Sequence, residues 1–294
     1  MQGVRSLRQT AEQQWKWLLL DALAKEKREQ AQQVIEEVYP YDIAQVYEEL
    51  EEDDQARLLD YLDHERLADV LEELEGEQRL AVLRRLDVER AGHVLDLMEN
   101  DDVADLLEEL GPEETDRLLG SMRTDEALIV RNLLTYPPET AGRLMTNRFI
   151  WVGEDFTVGE TVEKMRDYIE YSETINYVYV VNQLSELVGV ISYRDVILAE
   201  NTERISDVME TKVIRVAAET DQEEVAQLFE RYDLVSLPVV EGDVLVGLIT
   251  VDDALDVLRE EANEDIEKLS ASGKSIDFET KPWIAATRRL PWLV

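Results

Sequence analysis

Apolar positions between Pro40 and Met122 recur in a double rhythm. Leu50, Leu62, Leu74, Leu86, Met98, Leu110 and Met122 stand twelve residues apart, and each closes a short segment. Within a segment the apolar residues follow i, i+3, i+4, i+7 spacing, as Leu67, Val70, Leu71 and Leu74 do, which is the period of an amphipathic helix. Acidic or turn-forming stretches lie between segments, among them Glu51-Glu52-Asp53-Asp54, Glu75-Gly76-Glu77 and Gly111-Pro112. These supply caps and breaks. Two such helices make a unit of about 24 residues, the signature of a short α-solenoid. Ahead of it, Trp15 through Val38 reads as one leading helix.

After Pro137-Pro138 the period changes from helical to mixed, and the chain repeats itself once. Strands are expected at Phe149–Val152 and Val213–Val216, then at Tyr177–Val181 with Leu187–Ser192 and at Ser236–Val240 with Val244–Thr250. Thr157 with Glu160, and Thr220 with Glu223, have the spacing of capping boxes that each open a helix. Both copies end alike, in Gly189-Val-Ile-Ser192-Tyr-Arg-Asp195 and Gly247-Leu-Ile-Thr250-Val-Asp-Asp253, offset by 58 residues.

Charge narrows the chemistry. The 294 residues carry 30 Lys and Arg against 67 Asp and Glu, a formal net charge of -37. Phosphate backbones are bound by clustered Lys and Arg, so a nucleic-acid role is excluded, and a cation partner is favoured. There is no cysteine, which removes disulfides, thiolate zinc sites and cysteine nucleophiles. The two histidines, His64 and His93, lie 29 residues apart without ligand spacing and read as ordinary, partly exposed side chains. A bound metal is therefore expected to be a hard cation held by oxygens. No G-x-S-x-G, P-loop or histidine-based catalytic set occurs, so an enzyme is not expected. No apolar run reaches the roughly 18 residues of a membrane span, and the apolar Leu290–Val294 reads as the start of a segment cut short.

The doubled Gly-x-x-[Ser/Thr]-x-x-Asp motif resembles a pair of CBS domains, a Bateman module. An acidic helical repeat, then Ala141-Gly142-Arg143-Leu144-Met145-Thr146, then this pair, resembles the cytosolic region of the MgtE family of magnesium channels. Thr220–Ala226, Leu237–Val240, Val246–Asp253 and Ala262–Leu269 carry most of the likeness. The resemblance implies an α+β multidomain chain: an α-solenoid N-terminal domain, a tandem CBS (Bateman) α/β module and a C-terminal connecting helix. The expected divisions are an N-terminal extension at 1–38, the helical domain at 39–138, CBS copies at 139–202 and 203–262, and a connecting or plug helix from 263 to 294. It further implies a homodimer through the CBS modules at the cytoplasmic face of a membrane, regulating a pore domain that this chain does not contain.

One segment gives the cation idea a physical basis. At about 100° per residue, Asp253, Asp256, Glu260 and Glu264 form one stripe of the helix, with Leu255, Leu258, Ala262, Ile266 and Leu269 on the opposite face. Carboxylates three and four apart repel by a few tenths of a kcal/mol per pair, a cost that a bridging divalent ion offsets. By composition alone the stripe reads first as a solvated face. The resemblance implies Mg2+ ligands at Glu223, Asp233, Asp253, Asp256, Glu261, Glu264 and Asp265, with Asp69, Asp101 and Asp105 on the helical domain. Mg2+ at these surfaces would close the pore, and low Mg2+ would open it. In the first CBS copy the likeness implies ATP contacts at Tyr177, Arg194 and Asp195, although Leu234 stands where an aromatic would stack on adenine. The alternative is a CBS pair that senses adenine nucleotides for another enzyme or transporter.

Overall fold

The computed structural model describes residues 14–74, 76–168, 172 and 176–270, without the side chains of 263–270. It divides into two compact units, Met1–Thr135 and Tyr136–Val294.

In the first unit, helix α1 (residues 14–24) and α2 (Arg28–Glu37) are separate, where the sequence reads as one helix. The break is a C-terminal cap without glycine. Glu26 takes a left-handed backbone, φ 53°, the Lys27 N–H reaches back to the Ala22 carbonyl, and the Glu26 N–H to that of Leu23. This paired closure usually employs glycine, which is why the sequence gives no sign of it.

Eight helices follow: α3 (Pro40–Glu49), α4 (Glu52–Tyr61), α5 (His64–Glu72), α6 (Gly76–Arg85), α7 (Val88–Leu95), α8 (Asn100–Glu108), α9 (Pro112–Leu119) and α10 (Thr124–Leu133). Each begins twelve residues after the last. Helices two apart pack together, α3 on α5, α5 on α7, α7 on α9 and α8 on α10, so the structural unit is the expected helix pair. Of the twelve-residue series, Leu62, Leu74, Met98, Leu110 and Met122 are buried.

Polar locks recur at the 24-residue period. Asp63 and Asp87 cap α5 and α7 by accepting from the Arg66 and Arg90 N–H groups. The two arginines then donate to carbonyls at the end of an earlier helix. Arg66 reaches Ile35 and Val38, and Arg90 reaches Leu59 and Leu62. Likewise Glu72 accepts from the Glu99 N–H and Asp96 from the Arg123 N–H, both at 2.8 Å. Each lock satisfies backbone groups that a helix end leaves open.

The second unit holds two three-stranded sheets of the same order, β1-β2-β3 and β4-β5-β6, with the first pair parallel and the second antiparallel. The strands are β1 (Trp151–Gly153), β2 (Tyr177–Val181), β3 (Leu187–Ser192), β4 (Val216–Ala217), β5 (Ser236–Glu241) and β6 (Val244–Thr250). The central and hairpin strands fall where the alternation puts them. The edge strands β1 and β4 start two and three residues later than expected, because Phe149 and Val213 pack instead into the core around Tyr179, Leu187, Val240 and Leu248. Helices α11 (Ala141–Leu144), α12 (Val158–Tyr168), α13 (Tyr193–Leu198), α14 (Ile205–Val208), α15 (Gln222–Tyr232) and α16 (Val251–Ser270) complete the unit. α16 runs without a break across 262–263.

The segment before each copy packs on the other copy. Thr146 bridges to Leu248, and Glu210 to Val190. A Cβ added at Gly247 would overlap the Met145 sulfur, and one at Gly189 the Met209 sulfur. The motif glycines are thus the clearance through which each methionine crosses to the opposite sheet. Buried Tyr179 and Ser236 also share a 2.9 Å hydroxyl hydrogen bond between the copies, and burial raises the Tyr179 pKa.

Two changes follow, both read by urea unfolding. Gly247→Ala is expected to lose about 1–3 kcal/mol through overpacking against Met145. Glu26→Gly is expected to gain about 0.5–1 kcal/mol, because glycine relieves the left-handed strain.

Candidate functional site

The motif aspartates do structural work first. In α13 the Asp195 carboxylate accepts from the Ser192 hydroxyl at 2.5 Å, while the Asp195 N–H donates back to that oxygen at 3.1 Å. In α16, Asp253 accepts from both the Thr250 hydroxyl at 2.5 Å and the Thr250 N–H at 3.2 Å. Ser192 and Thr250 end their strands opposite Tyr177 and Ser236. The register therefore brings Tyr177 to the Ser192–Asp195 cap, while Arg194 and Asp195 are exposed beside it.

The Thr157–Glu160 capping box forms as expected, and these hydrogen bonds hold the Glu160 carboxyl below its usual range. The Thr220–Glu223 box does not form. Asp221 caps α15 instead, accepting from the Glu223 N–H at 2.9 Å, because an aspartate one residue nearer the helix reaches the first free N–H groups.

Glu223 is exposed in the first turn of α15, lining a hollow with Asp221, Glu224 and Arg231. Asp233 ends the same helix with a left-handed backbone, φ 50°, a conformation that aspartate tolerates better than most residues. On α16, Asp253, Asp256 and Glu260 form the expected stripe, but the buried line beside it is Ala254 and Val257. Leu255 is 55% exposed and Leu258 36%. α16 thus packs about 100° round from its most apolar face, since the small Ala254 and Val257 allow closer approach to α15 and β6. Asp256 pairs with Arg259 at 3.0 Å, and Glu261 is half-buried. The side chains of Glu264 and Asp265 lie outside the described residues.

On the helical unit, Asp69 lies 3.5 Å from Arg66. Asp101 and Asp105 share α8 but not an environment: Asp101 is buried, and the Asp105 side chain is 71% exposed, 4.0 Å from Arg79. Arg79 is a hub the sequence does not announce. It donates to the Leu74 and Glu72 carbonyls and lies 3.3 Å from Asp102. A cation at Asp105 therefore competes with a resident guanidinium. Among the described residues, no group of three or more acidic or histidine side chains is gathered tightly enough to hold an ion.

The family model of the MgtE intracellular N domain matches residues 38–139, and that of the CBS domain matches 141–201 and 205–260. The magnesium transporter MgtE of Bacillus subtilis (strain 168) is 48% identical over 262 residues, covering 89% of this chain and 58% of that protein. That of Thermus thermophilus is 44% identical over 168 residues, 56% of this chain and 37% of that protein. The chain thus spans little more than half the length of the first relative and less of the second. Two solved structures superpose with a TM-score of 0.79. The cytosolic domain of the Mg2+ channel MgtE in complex with ATP is 36% identical and covers 82% of this chain and 99% of that one. The soluble part of a magnesium transporter is 33% identical and covers 85% and 99%.

The capping role separates the Asp253 variants. Asp253→Ala is expected to lose about 1 kcal/mol of stability with the Thr250 contacts. Asp253→Asn keeps an acceptor and should stay within about half of that, by denaturant titration.

Proposed function

The chain belongs to the MgtE family of magnesium transporters, and from that premise we propose that it is the Mg2+-sensing regulatory part of such a transporter, acting on a transmembrane pore domain from the cytoplasmic side. The observation that carries the reading is the carboxylate stripe along α16, in which Asp256 and Glu260 are exposed and Asp253 is half-buried at the helix start. Mg2+ bound by this stripe, by Glu223 and Asp233 on α15, by Glu261, Glu264 and Asp265, and, on the helical unit, by Asp69, Asp101 and Asp105 offsets the repulsion among neighbouring carboxylates within each unit. That favours a closed arrangement, and loss of Mg2+ releases it. Mg2+ sheds its waters reluctantly, so contacts through bound water suit carboxylates spread over several helices. The ion shifts the equilibrium only by its differential affinity for the two arrangements.

Two further parts belong to the proposal. The chain forms a homodimer through its CBS modules: Ile197 and Leu255, related by the 58-residue repeat, are 62% and 55% exposed, apolar surface that a second copy would cover. ATP binds the first CBS copy at Tyr177, Arg194 and Asp195: Tyr177 pairs across the hairpin with Ser192, close in sequence to Arg194 and Asp195, and one solved relative is a complex with ATP.

The test is limited proteolysis across a Mg2+ titration at constant ionic strength. Protection of 130–145 and 262–282 is expected with Mg2+ but not with matched Na+. A triple variant Asp253→Asn, Asp256→Asn, Glu223→Gln should shift that protection at least ten-fold higher in Mg2+. Cleavage indifferent to Mg2+ would refute the sensor.

A further inference from the structure

The chain has two histidines, and the fold brings them face to face. His64 opens α5 and His93 lies in the last turn of α7. Their ring centroids stand 5.3 Å apart with the planes inclined by 20°. A residue touches roughly 6–12 others even when fully buried, so two given residues of a chain this long meet by chance only a few times in a hundred. Their sequence spacing gives no sign of this contact, which the packing of α5 on α7 creates.

We propose that His64 and His93 form a two-imidazole site for a borderline transition cation such as Zn2+, Ni2+ or Cu2+, joining α5 to α7. This goes beyond the Mg2+ reading and does not depend on it. The donors differ in kind: imidazole nitrogen suits Zn, Cu and Ni, whereas Mg2+ prefers oxygen. The backbone is already fixed on both sides. Asp63 caps α5 one residue before His64 and Asp87 caps α7, α5 packs on α7, and Arg90 ties α7 to the Leu59 and Leu62 carbonyls. Both imidazoles are exposed, so an ion reaches them from solvent and the rings turn without moving the core. Two nitrogens on one tetrahedral Zn2+, at about 2.0–2.1 Å each, stand roughly 3.3 Å apart. Rings at the observed separation reach that by rotation about their side-chain bonds. Asp96 lies one turn beyond His93 and interacts with it electrostatically, while its carboxylate accepts from the Arg123 N–H. It places negative charge beside the pair. Water would fill the other coordination positions.

Because there are only two imidazoles, their ring proton resonances report the site directly against a background of 67 carboxylates. The whole chain, held in excess Mg2+ so that carboxylates are occupied, is titrated with Zn2+ near neutral pH. Both ring signals are expected to move together and reach their end point at one equivalent, while the prior Mg2+ addition moves neither. In His64→Gln, the Zn2+ needed to move the His93 signal should rise at least ten-fold, with the circular dichroism spectrum unchanged. Signals that stay still at one equivalent, that move independently of each other, or a His93 response unaltered in His64→Gln would overturn the proposal.

Discussion

A chain with a net charge of -37 folds only if its carboxylates find positive partners or separate, and this constraint orders the rest of the molecule. The first partner is the helix N-terminus, whose open N–H groups and dipole favour negative charge. Asp63, Asp87, Asp221, Asp253 and Glu160 sit there and accept from backbone N–H groups, while Asp195, in the first turn of α13, accepts from the Ser192 hydroxyl. The second is a small set of arginines. Arg79 lies against Asp102 and Asp105 while closing the end of α5. Carboxylates that stay at the surface, such as Asp256 beside Arg259 on α16 and Glu223 on α15, remain open to solvent and to cations. At physiological salt the Debye length is about 8 Å, so only closely spaced carboxylates gain much from a bound ion.

The same residues therefore serve fold and proposed function together. Asp253 holds the start of α16 through Thr250 and stands in the acidic stripe. Asp233 supplies a left-handed helix end and a carboxylate. Removing such a side chain conflates the two roles, whereas Asp→Asn separates them by retaining the acceptor and discarding the charge.

The repeat was legible because it is written in spacing: twelve residues from helix to helix, 58 from one CBS copy to the next. Hairpin strands such as Leu187–Ser192 were legible because alternation and a turn define them locally. The edge strands β1 and β4 were not, since Phe149 and Val213 are drawn into a core made by both copies. The break at Glu26 carries no glycine or proline to mark it. The packing face of α16 was misjudged because Leu255 and Leu258 dominate the periodicity while the smaller Ala254 and Val257 do the packing. Arg79, and the meeting of His64 with His93, depend on helices two apart lying side by side, which spacing implies but does not place atom by atom. The 24-residue recurrence of Asp63 with Asp87 and of Arg66 with Arg90 was readable in the sequence as a sign of the polar locks.

The central claim is that the folded acidic surfaces bind divalent cations specifically rather than merely being screened by salt. Thermal unfolding of the chain, followed against Mg2+ at constant ionic strength with Na+ making up the balance, tests it most directly. An ion that binds the folded state raises the midpoint with the logarithm of its concentration once binding saturates, so the account predicts a midpoint that climbs with Mg2+ and much less in the Asp253→Asn, Asp256→Asn, Glu223→Gln variant. A midpoint that depends on ionic strength alone, the same for Mg2+ and Na+, would contradict it.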